Sequence, residues 1–292
     1  MRAKKAKVRR TAKASIAEMP KSTELYLLSQ ILKSKEHGEQ FASLQSIIYN
    51  FTNETRQFGY KAGFALGELF AKHFELDKLQ QLFEHAGFGK LLYNTAEHEA
   101  IAIATASSEV DAGMNMHIFE AGMLAGFFSA KTGKALGAEE THCLLNGGKC
   151  TFLIGVGKAP QSNAIADFSK AAEMIERSIG HSKACENYYL LSFLPILQQP
   201  LLSSSAKLAY LLGKRLGYKG VDAEQLASYL QVDGKMSNSE MILSYSHLLS
   251  HSGYVLVSSM LLRGYLQSRF KKGVAVEQHL SRGRYDLRLR LV

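Results

Sequence analysis

Apolar residues recur at helical spacing over two long stretches of the chain. Within Leu44 to Phe74 this spacing holds from Leu44 to Phe51 and again from Phe58 to Phe70, and Met114 to Thr132 is a further stretch with small residues among its apolar ones. This spacing gives a helix one continuous apolar face, so both stretches are predicted to be helical. A shorter helix is predicted over Leu79 to Ala86, with Asp77 as its N-cap.

Short strands are predicted between and after these helices. Lys90 to Asn94 and Ala100 to Ala104 have strand patterns, and Asn146-Gly147 is the preferred sequence of a two-residue hairpin turn. Counting outward from that turn pairs Cys143 with Cys150, with Cβ atoms about 4.5 to 5.5 Å apart. The pattern therefore predicts a hairpin that carries two neighbouring thiols.

Motifs of the first half return in the same order in the second half. Lys61 to Gly67 has a counterpart in Lys207 to Gly213, and Leu124 to Phe128 has one in Leu262 to Leu266. A common order of weak matches predicts a duplication with a shorter second copy. The predicted organisation is a disordered basic arm over residues 1–20, a domain over 21–157, a linker with a helix over 158–185, and a second domain over 186–292.

Composition narrows the class of protein. The chain has 292 residues, of which 46% are hydrophobic and 21% charged, which excludes a wholly disordered chain. No apolar run reaches the 18 or so residues of a membrane helix, so no membrane insertion is expected. Three cysteines are too few and too unevenly placed for a disulfide-stapled secreted fold, which favours a cytoplasmic location.

The net charge of +9 is concentrated at the chain ends. Residues 1–13 carry seven basic side chains and no acid, a pattern typical of a segment that is disordered when free. Three interpretations are open: a solubilising tail, contact with RNA or the ribosome, and an organellar presequence. The residues predicted to contact a polyanion are Lys4, Lys5, Lys7, Arg9 and Arg10 of the arm, with Arg288 and Arg290 of the last strand.

Two motifs resemble those of a known family. Glu140-x-x-Cys143-x6-Cys150-x-Phe152 is similar to the signature of the 4-vinyl reductase domain, a relative of the TRAPP-subunit fold, and Gly122-x-x-x-Gly126 matches its glycine-spaced helix. The resemblance covers about residues 24–156, with a degenerate copy over 186–292. It implies an α/β (α+β) fold of two tandem domains, each a helical bundle packed on a small antiparallel sheet.

The resemblance also implies a metal site. Aromatic-sensing members hold zinc with a helical Cys and with the Glu and two Cys of the hairpin. Transferred by position, the ligands are Glu140, Cys143 and Cys150, with His117 in place of the helical Cys. A closed site of four protein ligands is structural, because no position is left for water or substrate. Glu140 and Cys143 are three residues apart, so a bulge or a later hairpin start is needed to bring them to one face, and His142 is an alternative ligand.

Two other interpretations of the thiols stay open, a cross-hairpin disulfide and a pair of buried free thiols. The second half has lost the motif: Val255 stands for His117, Met260 for Gly122, Leu280 for Cys143 and Tyr285 for Cys150, while Glu277 is aligned with Glu140. One structural Zn²⁺ per chain is therefore expected.

Relatives use the apolar interior beside the glycine-spaced helix for hydrophobic small molecules, or use the fold for assembly. The resemblance therefore implies a non-catalytic zinc-containing module that binds a hydrophobic small molecule or a protein partner. The implied ligand pocket is lined by Phe119, Gly122, Gly126 and Phe127. The alternative function is an RNA- or ribosome-associated protein that uses its basic ends. Enzyme activity is not expected: a vinyl reductase has only the family name in its favour, and no catalytic pair is defined by spacing.

Overall fold

The structure of the chain is a computed structural model. It describes residues 23–34, 44–94, 99–103, 117–143, 149–160, 164–179, 186–194, 199–237, 240–246, 249–281 and 284–292. Within these ranges helices and short antiparallel strands alternate in an α+β fold, as the resemblance implied.

Ten helices lie in the described part of the chain. Their bounds are α1 Thr23–Lys33, α2 Leu44–Tyr49, α3 Asn53–Ala71, α4 Leu76–His85, α5 Ile118–Thr132, α6 Phe168–Ser178, α7 Glu186–Ser192, α8 Gln199–Lys219, α9 Ala223–Tyr229 and α10 Tyr254–Phe270. A short 3-10 helix, Leu249–His251, precedes α10. None of the described helices combines the length and the apolar character needed to cross a membrane.

Two four-stranded antiparallel sheets follow the same plan. Their strands are β1 Lys90–Asn94, β2 Glu99–Ile103, β3 Gly137–Cys143 and β4 Lys149–Gly155 in the first half, and β5 Asp233–Met236, β6 Glu240–Ser246, β7 Val274–Ser281 and β8 Arg284–Leu291 in the second. The strand orders are β1-β2-β4-β3 and β5-β6-β8-β7, so in each half the fourth strand lies between the second and the third.

Each half is built around one pair of closely packed helices. A Cβ atom on Gly126 of α5 would lie 2.0 Å from the backbone oxygen of Phe64 in α3, and one on Gly264 of α10 would lie 2.1 Å from that of Tyr210 in α8. No side chain fits at such distances, so glycine is what permits the backbones to touch. The glycine-spaced helix is thus explained by helix packing.

Local sequence explains where α3 begins. Thr52 and Thr55 form a reciprocal capping box, in which each backbone N–H donates to the hydroxyl of the other. The helical stretch predicted over Leu44 to Phe74 divides into α2 and α3. The predicted N-cap of α4 was wrong, because Glu75 holds that position and Asp77 lies in the first turn.

The two halves share a continuous apolar core. Tyr49 of α2 stacks near Phe193 with ring centroids 6.0 Å apart and donates a hydrogen bond of 2.7 Å to the backbone oxygen of Ser192. Phe193 in turn packs on Tyr254 of α10 at 5.5 Å, and Tyr189 stacks on the same Tyr254 at 4.2 Å. Aromatic rings therefore join the two helix pairs.

Candidate metal centre

The first turn of α5 meets the β3–β4 hairpin at a cluster of polar side chains. His117 is the N-cap residue of α5, Glu140 lies on β3, and Cys150 lies on β4. One ligand atom from each of these three residues can be chosen so that all lie within 4.8 Å of one another. Glu140 and Cys150 are buried, and the His117 side chain is 28% exposed.

A bulge in β3 gives the hairpin the geometry that the motif needs. Cys143 pairs with Cys150 and Glu140 pairs with Phe152, with a register shift between Glu140 and His142. The predicted thiol register is confirmed, and of the two alternatives for Glu140, a later hairpin start and a bulge, the structure has the bulge. The extra residue changes the parity of the strand, so residues three apart are brought to the same face. The side chains of Cys143 and His142, and the turn at residues 144–148, lie outside the described part of the structure.

His117 and Glu140 are joined directly. His117 Nδ1 lies 2.7 Å from Glu140 Oε1, and the backbone N–H of His117 donates to Glu140 Oε2 at 3.1 Å. The carboxylate therefore accepts a hydrogen bond from the backbone at the start of α5, where the helix dipole also favours negative charge. This contact fixes the helix to the sheet.

A second carboxyl group, absent from the sequence prediction, lies beside the cluster. Glu120 is 3% exposed, and its Oε2 has no hydrogen-bond partner among the described residues. Burial raises its pKa to about 7; the charge of His117 acts against this, and those of Glu140 and Cys150 add to it. A sequence signal existed, since Glu120 is the only charged residue in the apolar run Ile118–Phe128.

The cluster also has a buried cation that the sequence did not indicate. Arg56 of α3 is 4% exposed and donates to Asn50 Oδ1. Burial lowers the pKa of its guanidinium, and the negative charge of Glu140 acts in the opposite direction. No sequence pattern distinguishes Arg56 from a surface arginine at the start of a helix.

The four residues of the predicted ligand pocket lie in packed surroundings. Gly122 and Gly126 face the backbone of α3, at 2.1 and 2.0 Å from an added Cβ. Phe119 stacks with Tyr49 at 6.0 Å, and Phe127 is 1% exposed. The two glycines are therefore at a helix interface, whereas two cavities of about 490 and 440 Å³ lie in the second half. Ligand binding at these four residues stays a prediction.

The register of the second hairpin corrects one alignment. Leu280 pairs with Tyr285 as Cys143 pairs with Cys150, but Leu287, the counterpart of Phe152, pairs with Gln278. Gln278, and not Glu277, therefore occupies the place of Glu140. The difference of one residue arises because β7 has no bulge.

The basic residues assigned to polyanion binding divide into two groups. Lys4, Lys5, Lys7, Arg9 and Arg10 lie outside the described residues. Arg288 and Arg290 are exposed on β8. Arg290 has acidic neighbours, with its Nη1 3.3 Å from Glu277 Oε1 and its Nε 3.9 Å from Glu240 Oε2. This face of the strand therefore carries both signs of charge.

Comparison with known proteins gives a limited result. No protein-family profile matches the chain, and no curated protein matches it. Among solved structures, a vinyl-4-reductase family protein from Methanocaldococcus jannaschii is similar over 44% of this chain and 74% of its own, with 19% sequence identity and a TM-score of 0.27. We draw neither a family assignment nor a function from so low a TM-score.

Proposed function

We propose that the chain is a non-catalytic metal-binding module of the 4-vinyl reductase type, in which one zinc ion joins α5 to the β3–β4 hairpin. The observation that carries this proposal is the convergence of His117, Glu140 and Cys150 within 4.8 Å. In a zinc tetrahedron with bonds of about 2.0 to 2.3 Å, donor atoms stand about 3.3 to 3.8 Å apart. The donor atoms of His117, Glu140 and Cys150 would therefore need to move only about 1 Å closer together to coordinate zinc.

Cys143 is the proposed fourth ligand. Its backbone is directly opposite Cys150 in the hairpin, and two thiolates with an imidazole form a donor set that suits Zn²⁺ better than Mg²⁺ or Ca²⁺. Four protein ligands would leave no open position for a substrate. The role of the ion would be to hold the start of α5 against the sheet, and the module would act by binding a hydrophobic small molecule or a protein partner.

Charge supplies a further reason for a cation. Glu120, Glu140 and Cys150 are buried together with Arg56 and His117 as the neighbouring basic groups. Two carboxylates and a thiolate would exceed these cations in charge. A divalent ion would offset the excess and favour the ionised forms. The competing explanation is a metal-free network in which the His117–Glu140 pair alone joins helix and hairpin.

Metal analysis of the purified full chain distinguishes the two explanations. We expect one zinc ion per natural chain. In Cys150→Ser and in Glu140→Gln we expect less than one fifth of the zinc content of the natural chain. Cys185→Ser is the matched control, because it removes a thiol outside the motif, and it should keep the full content. A natural chain without tightly bound metal would favour the metal-free network, and two ions per chain would contradict the single site.

We further propose that the two halves are copies of one unit. The identical strand orders and the equivalent glycine contacts at Gly126 and Gly264 support this. The helix ends support it as well, because α5 ends at Thr132 and α10 ends at Phe270. These two ends are 138 residues apart, and so are Gly126 and Gly264.

A further inference from the structure

The second half contains a cavity between α10 and the hairpin β7–β8. Its volume is about 490 Å³, within the range of about 300 to 1,000 Å³ typical of small-molecule sites. One face of α10 supplies Val255, Ser259, Met260 and Arg263 to its wall. The opposite wall comes from the two strands, through Val276, Gln278, Tyr285 and Leu287.

This cavity occupies the place of the candidate metal centre in the other half. The 138-residue correspondence of α5 and α10 puts Val255 at the position of His117. The hairpin registers put Gln278 at that of Glu140 and Tyr285 at that of Cys150. All three counterparts line the cavity. The same junction of helix and hairpin is therefore a polar cluster in one half and an open space in the other.

Met260 gives a physical reason for a second opening, between α8 and α10. Its counterpart Gly122 lets α5 approach the backbone oxygen of Tyr60, at 2.1 Å from an added Cβ. A methionine cannot be accommodated at such a distance, so the helices must separate at this end. A second cavity of about 440 Å³ lies between α8 and α10, and it shares Met260, Leu202 and Leu256 with the first.

Arg263 makes the cavity selective for charge. It lines the space, and its Nε is buried without a hydrogen-bond partner among the described residues. The lining residues include no Asp or Glu, while Ser259, Gln278 and Tyr285 add polar atoms. A buried donor that makes no hydrogen bond destabilises the unliganded protein. The Nε–H of a guanidinium, together with a neighbouring Nη–H, can donate two parallel hydrogen bonds to a planar carboxylate.

We propose that this cavity binds an apolar molecule that carries one carboxylate group. The carboxylate accepts hydrogen bonds from Arg263, and the apolar body lies along Met260 and Leu256 toward the second cavity. This inference deepens the ligand-binding part of the proposed function by giving it a location and a chemical class. It does not depend on the metal centre.

Calorimetric titration of the full chain tests the proposal with matched probes. Decanoate and 2-naphthoate supply the carboxylate, and 1-decanol has the same chain as decanoate without the charge. We expect one decanoate or naphthoate per chain and at least tenfold weaker binding of decanol. Arg263→Met should weaken the binding of decanoate at least tenfold and change the affinity for decanol less than threefold. Arg288→Met, which removes an exposed arginine of β8, should change neither.

Equal affinity for decanoate and decanol, equal decanoate affinity in Arg263→Met, or no binding of either carboxylate would overturn the proposal. If Arg263→Met does not fold, Met260→Trp keeps the arginine and fills the cavity, and retained decanoate binding in that folded variant would also refute the site. Zinc content is measured on the same samples. A chain that binds decanoate without zinc refutes only the metal centre, and one that holds zinc without decanoate refutes only this cavity.

Discussion

Glu120 places a carboxyl group inside an apolar helix, which makes the stability of the metal-free chain depend on pH. Its pKa is raised by burial from 4.5 to about 7. Below pH 4.5 the carboxyl group is protonated in both the folded and the unfolded state, so its ionisation does not change the free energy of unfolding. Between pH 4.5 and about 7 the unfolded state releases the proton first, so the free energy of unfolding falls as pH rises. Above about pH 7 the carboxyl group is ionised in both states, and the decrease in unfolding free energy that it causes no longer changes with pH.

The size of this loss follows from the same values. One pH unit corresponds to about 1.4 kcal/mol, so the interval from 4.5 to about 7 corresponds to about 3 kcal/mol. Glu120→Gln keeps the shape of the side chain and cannot ionise. Compared with the natural chain, the variant should therefore gain about 3 kcal/mol in unfolding free energy between pH 4.5 and pH 8.

Urea unfolding of chelator-treated protein at several pH values measures this gain. Glu84→Gln is the control, because Glu84 is an exposed helical glutamate, and its unfolding free energy should follow the natural chain within about 0.5 kcal/mol. The reasoning is refuted if the difference between Glu120→Gln and the natural chain is the same at pH 4.5 and pH 8.

Three further predictions follow from the helix pair, the metal and the arm. Gly126→Leu should lower the free energy of unfolding by more than 3 kcal/mol in urea titrations, because an added Cβ meets a backbone oxygen of α3 at 2.0 Å, whereas Ala130→Leu on the exposed side of α5 should change it by less than 1 kcal/mol. In Cys143→Ser, hydrogen exchange should accelerate first in residues 118–132, and unchanged protection with lost ligand binding would argue against a structural metal. Deleting residues 1–13 should leave the thermal unfolding midpoint unchanged and weaken RNA binding at low salt; equal RNA affinity would leave the arm without that role.

The hairpin was predictable because its determinants are local. Asn146-Gly147 fixes which residues face each other, and the register of Cys143 with Cys150 follows by counting. The irregularity was predictable for the same reason, since a spacing of three residues between Glu140 and Cys143 conflicts with the two-residue period of a strand, but the spacing did not decide between a bulge and a later hairpin start. Sequence thus identified most of the cluster before any contact was known.

Other features depend on contacts that a linear pattern does not contain. The start of α3 was not predicted because it depends on the reciprocal hydrogen bonds between Thr52 and Thr55. Glu277 was aligned with Glu140 by spacing, and only the register reveals that the unbulged strand moves the match to Gln278. The cavity was missed because it arises from the distance of α10 from the β7–β8 hairpin, which no residue spacing along the chain specifies.

The residues at the junction of helix and hairpin differ in charge between the two halves. In the first half the junction holds Glu120, Glu140 and Cys150, three groups that can each carry a negative charge. In the second half the counterpart of Glu120 is Ser258, a buried hydroxyl bonded to Tyr254 and Tyr245, and the other two are the neutral Gln278 and Tyr285. Arg263 meanwhile replaces the buried Ala125 and brings a positive charge to the same place. An anionic junction favours a cation and a cationic junction favours an anion, so the proposed metal centre and the proposed carboxylate site would have opposite charge preferences, and we expect zinc and decanoate not to compete.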